Sequence, residues 1–182
     1  MGKFIKVYDN IIPPPLSEFV EESVIKSGEF PFNYKEKFQK YHPIHSPEAS
    51  SLFGFGNTYI KEGEIQDKNL VVYNQILYQA SVKLNFIIKD IITARVWLTT
   101  PQEKNHITIP HRDLPYPHLV CLYYINDIDG DTLFFEDDKS TIFKKISPKK
   151  GRVVVFDGSI FHAPCIPTIN PRAVINYNFN TI

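Results

Sequence analysis

Residues 109–125 read Ile-Pro-His-Arg-Asp-Leu-Pro-Tyr-Pro-His-Leu-Val-Cys-Leu-Tyr-Tyr-Ile. Pro110 holds the start of this stretch extended and out of helix. On an extended backbone, residues i and i+2 face the same way. His111 and Asp113 therefore share a face, and Arg112 points away. Leu119 to Ile125 is a run of β-branched, aromatic and aliphatic residues that reads as a strand. The stretch thus joins a polar, chemistry-bearing edge to the body of a β-structure.

Working outward, the same texture continues on both sides. Ile92 to Leu98 alternates, with Ile92, Ala94, Val96 and Leu98 on one face and Thr93, Arg95, Trp97 and Thr99 on the other. Thr132 to Glu136 is expected to pair with Leu119–Ile125 as a hairpin turned through Asn126–Asp131. Thr141 to Ile146 follows. Arg152 to Phe156 is nearly continuously apolar, as in a buried central strand. Arg172 to Phe179 is the last strand, and Phe4 to Tyr8 a short first one. Two helices are predicted upstream. One carries Leu16, Phe19, Val20 and Val24 at helical spacing after an extended Pro13-Pro14-Pro15 connection, with Gly28 as its stop. The other spans 67–86, with Asp67 as N-cap and Leu70, Tyr73, Leu77, Ala80 and Leu84 as its apolar stripe. Residues 30–65, broken by Pro31, Pro43 and Pro47 and studded with aromatics such as Phe38, read as irregular. They are either a lid or binding wall, or rings packed over one end of the core. About eight strands behind two helices make a mainly β sandwich or barrel with helices packed against it.

Composition narrows the class. The 182 residues suit one domain, with 1–89 as helical support and variable loops and 90–182 as the barrel core. Fourteen Phe and ten Tyr against eight Gly favour a β core with stiff loops. Net charge is zero, which argues against a nucleic-acid partner. The two cysteines make no disulfide framework, and no leader or membrane-length apolar run is apparent. Lys6 stands where a myristoylation signal beginning at Gly2 would need Ser or Thr. A cytoplasmic protein is the expectation.

His162 follows the turn after Arg152–Phe156, and a barrel brings such a distant residue to the same mouth as His111 and Asp113. Two imidazoles and one carboxylate form the facial set that holds non-haem Fe(II) and leaves positions open. Zinc accepts the same donors, so the ligands alone do not name the metal.

The series His111-Arg112-Asp113, His162 and Arg172 resembles the Fe(II)/2-oxoglutarate-dependent dioxygenases. The similarity is to their prolyl-4-hydroxylase-like branch and to small phage and bacterial members. Leu122–Asp127, Gly130–Phe135 and Pro148–Phe156 carry the resemblance, which covers about residues 90–180. It implies a double-stranded β-helix, a jelly-roll barrel of cupin type with helices on one sheet. It implies Fe(II) on His111, Asp113 and His162, which are then also the catalytic residues. 2-Oxoglutarate is the implied co-substrate, with O2 as oxidant and ascorbate as a reductant. Arg172 is the implied partner of the distal 2-oxoglutarate carboxylate. Relatives often carry Arg-x-Ser, where this chain has Arg172-Ala173-Val174. Thr132 is the first candidate to replace that hydroxyl, and Tyr123 and Asn176 are further candidates for the co-substrate pocket. Arg95 and Trp97 are candidate substrate contacts. Asp113 favours hydroxylation over halogenation, which in this superfamily goes with a small residue at that place.

The implied substrate is a prolyl or other protein residue, or a small metabolite. Two readings from other classes stand beside it. One is a metal-dependent binding module without turnover, against which Arg172 argues. The other is a zinc hydrolase on a jelly roll.

Overall fold

The computed structural model describes residues 4–47 and 52–182, without the side chains of 37–39. The ring of Phe38 and the Gly2 region lie outside the described residues. Eleven strands are described: β1 (Ile5–Tyr8), β2 (Asn33–Gln39), β3 (Leu52–Lys61), β4 (Glu64–Ile65), β5 (Ile88–Thr99), β6 (Leu119–Tyr124), β7 (Thr132–Phe135), β8 (Ile142–Ile146), β9 (Val153–Asp157), β10 (Phe161–Pro164) and β11 (Arg172–Thr181). The larger antiparallel sheet runs β1-β9-β6-β11-β5-β3-β2, with β4 on β3. The smaller runs β10-β7-β8. Bridges Ile107–Cys165 and His111–His162 extend the small sheet by one irregular strand.

Period-two alternation sorts the large sheet into two cores. Val120, Leu122 and Tyr124 of β6, Val154 and Phe156 of β9 and Val174 of β11 face the small sheet and meet Phe134 and Ile146. Cys121, Tyr123, Val153, Val155, Ala173, Ile175 and Tyr177 face the other way, under the helices. Those helices are α1 (Pro14–Glu21), continued by a π-helical turn at Glu22–Lys26, and α2 (Asn74–Leu84), preceded by a 3-10 segment at Lys68–Tyr73. Val20, Val24, Ile76, Leu77 and Ala80 are their buried stripe. Each fully buried Val, Leu or Ile side chain contributes about 1.5–3 kcal/mol. Mainly β architecture with helices on one sheet is thus what the chain adopts. Among the described residues, no helix is long and apolar enough to cross a membrane.

Three expectations are corrected. Pro14 and Pro15 do not extend the connection; they open α1, where a missing N–H costs nothing, and Pro13 O accepts from Leu16 N and Ser17 N. The described residues of 30–65 are not irregular throughout, since β2 and β3 add two strands to one side of the large sheet. Gly56 sits inside β3 because its Cα partner is Trp97, and a Cβ there would lie 2.1 Å from two indole carbons. Finally, β6 and β7 are not a hairpin. β6 pairs with β9 and β11, whereas β7 pairs with β8 and β10. The connection between them crosses from one sheet to the other. Gly130 (φ +92°) makes the crossing, with no space for a Cβ, which would meet Cys165 O at 2.9 Å and Arg172 Cδ at 3.3 Å.

Candidate active site

The space between the two sheets is not filled throughout. A cavity of about 430 Å³ opens at one end, lined by side chains of β5, β6, β7, β10, β11 and the 109–113 segment.

His111 and His162 are directly opposed in the small sheet. Each donates its backbone N–H to the other's carbonyl at 3.0 Å, so both side chains leave on one face. Their ring centroids are 4.9 Å apart. Arg112 and Phe161, one residue away on each strand, stack on each other, with 4.1 Å from the guanidinium carbon to the ring centroid, and Arg112 also borders the cavity. Asp113 returns to the inner face. Its Oδ1 lies 3.6 Å from His111 Nε2 and 3.9 Å from His162 Nε2. One ligand atom from each of the three falls within 4.8 Å of the others.

The surroundings prepare these groups as ligands. His111 Nδ1 lies 3.2 Å from Ile109 O, and His162 Nδ1 the same distance from Ile160 O. Protons on both Nδ1 atoms leave both Nε2 lone pairs facing the cavity. Burial, with Phe156 and Phe134 against its ring, pushes the His162 imidazole down to about 4, so it stays neutral. Burial works to raise the Asp113 carboxyl, but His162, His111 and the Asn176 amide outweigh it and hold it below the usual range. Asn176 Nδ2 donates to Asp113 Oδ2 at 3.0 Å. A compact set of two imidazole nitrogens and one carboxylate of this kind fits a divalent cation.

Further in, Arg172 is 4% exposed. Its Nη2 donates to Thr132 Oγ1 at 2.9 Å, and its guanidinium lies 5.4 Å from the Tyr124 ring centroid. Tyr124 OH also donates to Thr132 Oγ1, at 2.6 Å. No carboxylate pairs with Arg172 among the described residues, and its Nε has no hydrogen-bond partner. Burial lowers its pKa accordingly. An unpaired buried charge is costly, and the arrangement suits an anion entering from the cavity.

The structure therefore brings His111, Asp113, His162, Arg172, Thr132, Asn176, Arg95 and Trp97 to one cavity. Tyr123 is a correction. It lies on the helix side of β6, with its hydroxyl donating to Ser17 Oγ at 2.9 Å. Its neighbour Tyr124 takes the inner place, because it pairs across β11 with Val174, which shares a face with Arg172 and Asn176. Leu122, Thr99 and Val174 also line the cavity and were not singled out from sequence. The alternation of β6 and β11 about Arg172 contained that signal.

No family model and no curated protein matches the sequence. Solved structures do match. A 2-oxoglutarate–Fe(II) oxygenase family oxidoreductase from Burkholderia pseudomallei superposes with a TM-score of 0.68 at 10% identity, over 98% of this chain and 85% of that one. A viral collagen prolyl hydroxylase from Paramecium bursaria Chlorella virus-1, in complex with 2-oxoglutarate, gives 0.63 at 16% identity, over 100% and 98%. HygX from Streptomyces hygroscopicus, with nickel, 2-oxoglutarate and hygromycin B bound, gives 0.62 at 10% identity, over 98% and 83%. The chain has the double-stranded β-helix fold of these proteins.

Proposed function

We propose that this chain is an Fe(II)- and 2-oxoglutarate-dependent oxygenase that hydroxylates its substrate. His111, Asp113 and His162 would hold the metal. Arg172 would receive the distal carboxylate of 2-oxoglutarate, with Thr132 supplying the hydroxyl that relatives draw from a serine after the arginine. When bound, Fe(II), O2 and 2-oxoglutarate supply the oxidising chemistry, in which the 2-oxo acid loses CO2 to become succinate and a substrate C–H bond gains oxygen.

The protein's own part is positional. Asn176 fixes the orientation of Asp113. The two backbone carbonyls on the imidazole Nδ1 atoms fix the tautomer and the ring planes. Tyr124 and Thr132 orient the Arg172 fork for a two-point contact with a carboxylate, a geometry that lysine does not reproduce. Leu122, Val174 and Trp97 give the cavity apolar walls, which keep bulk water from the reacting atoms.

One observation carries this reading over a zinc hydrolase or a turnover-free metal module: among the described residues the buried Arg172 makes no ion pair, and Asp131 reaches it only through space. Neither alternative calls for an anion anchor set apart from the metal ligands.

The substrate reading is coarser. The prolyl hydroxylases among the similar folds support a protein residue, and the antibiotic-bound fold supports a small molecule. A cavity of about 430 Å³ that also takes 2-oxoglutarate has space for one side chain or one small molecule.

The test is succinate formation from 2-oxoglutarate by the iron-loaded protein in air, followed by mass spectrometry. Metal-dependent succinate that disappears in Asp113→Ala supports the reading. Succinate formation that is undiminished in Asp113→Ala refutes the triad.

A further inference from the structure

From the charge left over in the cavity we infer that the substrate is a small molecule bearing a carboxylate or phosphate, held by Arg95. The inference rests on the oxygenase reading and adds a substrate class to it.

Arg95 lies on the inner face of β5, half-buried, with its side chain lining the cavity. Among the described residues it forms no hydrogen bond or ion pair; Asp113 is a charge close enough to sense it. Asp113 is also the one acidic side chain in the cavity lining among the described residues, against Arg95, Arg172, Lys40 and Arg112. This excess of cations is local, because the chain as a whole has zero net charge. Arg112 is already engaged, stacked on Phe161 and 3.7 Å from Asp137.

Strand register separates the two remaining arginines. Arg172 pairs with Thr99, and Asn176 pairs with Arg95. Four residues of strand put these two levels about 13 Å apart. The Asp113 end of the cavity is the Arg95 end, since Asn176 grips Asp113. A 2-oxoglutarate whose distal carboxylate sits on Arg172 therefore leaves Arg95 uncovered.

The charge balance points the same way. A divalent metal, the Asp113 carboxylate, the 2-oxoglutarate dianion and the Arg172 cation together cancel. Arg95 is the cation left without an offset inside the cavity, and exposed Lys40 adds to it at the rim. A guanidinium half out of water, with its donors unused, matches a planar or tetrahedral oxyanion. Trp97, two residues along the same face and laid against Gly56, gives that ligand a flat apolar wall.

The test uses the full chain loaded with Zn(II) and 2-oxoglutarate and a ligand-detected NMR binding screen. The probes are amino acids and short aliphatic and aromatic acids, each paired with its primary amide. Phosphate monoesters, each paired with the parent alcohol, form a second arm. The expected result is that charged members bind and their uncharged partners do not, the responding arm telling carboxylate from phosphate. Arg95→Gln should weaken that binding by at least about tenfold, the scale of a lost charged hydrogen bond, and Arg95→Lys should keep part of it. The inference is overturned if uncharged partners bind equally, if no probe binds, or if both Arg95 variants bind as the wild type does. The signal of 2-oxoglutarate in the same tube reports the underlying reading separately. It should persist in both Arg95 variants and vanish in Arg172→Ala; its absence in the wild type would refute the oxygenase reading whatever Arg95 does.

Discussion

The Asn176 side-chain amide donates to Asp113 Oδ2 at 3.0 Å, tying the carboxylate of the 111–113 segment to the middle of the last strand. Asp113 sits beyond the last bridged residue of that segment, so this contact helps set where the carboxylate points. Asn176→Ala is expected to leave the fold intact and weaken Fe(II) binding by about 10–100-fold, as loss of an outer partner of a metal ligand does. Competition against a chelating dye measures it. An unchanged metal affinity would show that the segment orients Asp113 unaided.

Arg172 should separate co-substrate from metal. Arg172→Ala is expected to cost roughly 2–5 kcal/mol of 2-oxoglutarate binding, the scale for truncating one partner of a buried charge pair. Metal affinity should barely move. Calorimetric titrations of both ligands into both proteins decide this, and equal 2-oxoglutarate affinity would remove Arg172 from the proposed role. In the ligand-free protein the same buried charge is a burden. Arg172→Leu should therefore melt no lower than wild type without ligand and lose the stabilisation that 2-oxoglutarate gives.

Much of this was legible in the sequence. The alternation of Ile92–Leu98 correctly put Arg95 and Trp97 on one face and Ala94 and Val96 on the other. The i, i+2 rule correctly paired His111 with Asp113. What failed was partner choice. Leu119–Ile125 and Thr132–Glu136 look like a hairpin because a short turn-forming segment joins them, yet that segment crosses between sheets. Residues 30–65 look irregular because prolines and glycines dominate the eye. Gly54 and Gly56 belong to a strand, and Gly56 is there for an indole on the neighbouring strand. Tyr123 stood among the candidates and Tyr124 did not, because local sequence does not reveal which face of β6 looks inward; the pairing of Tyr124 with Val174 does.

Gly56 and Trp97 offer a test of the cavity wall. Trp97 is the one tryptophan of the chain, so its fluorescence reports a single place. Gly56→Ala would put a methyl 2.1 Å from two ring carbons, and the indole must move. The expected outcome is a shifted emission maximum and a loss of about 1–3 kcal/mol in denaturant unfolding, typical of overpacking. Wild-type emission and stability would mean that the indole does not rest on β3.

Burial of His162 gives the metal-free protein a pH dependence. The folded imidazole is pushed down to about 4, whereas in the unfolded chain it titrates near its ordinary 6.5. Between those values the unfolded state binds more protons, so stability rises with pH and falls as pH drops from about 6.5 toward about 4. Asp113, held below the usual carboxylate range, adds its own loss at lower pH still. Melting temperatures across this window should fall with acid in the wild type and less steeply in His162→Gln. Identical slopes would indicate that His162 is not buried in its neutral form.

The most direct test of the central claim is an anaerobic titration of the metal-free protein with Fe(II) and 2-oxoglutarate, recorded by visible absorption. A 2-oxo acid chelated to Fe(II) gives a weak metal-to-ligand charge-transfer band that neither component gives alone. The account predicts that the band forms with both present, saturates at one of each per chain, is lost in Asp113→Ala and requires far more 2-oxoglutarate in Arg172→Ala. Iron binding at His111, Asp113 and His162 with no band at saturating 2-oxoglutarate would contradict it.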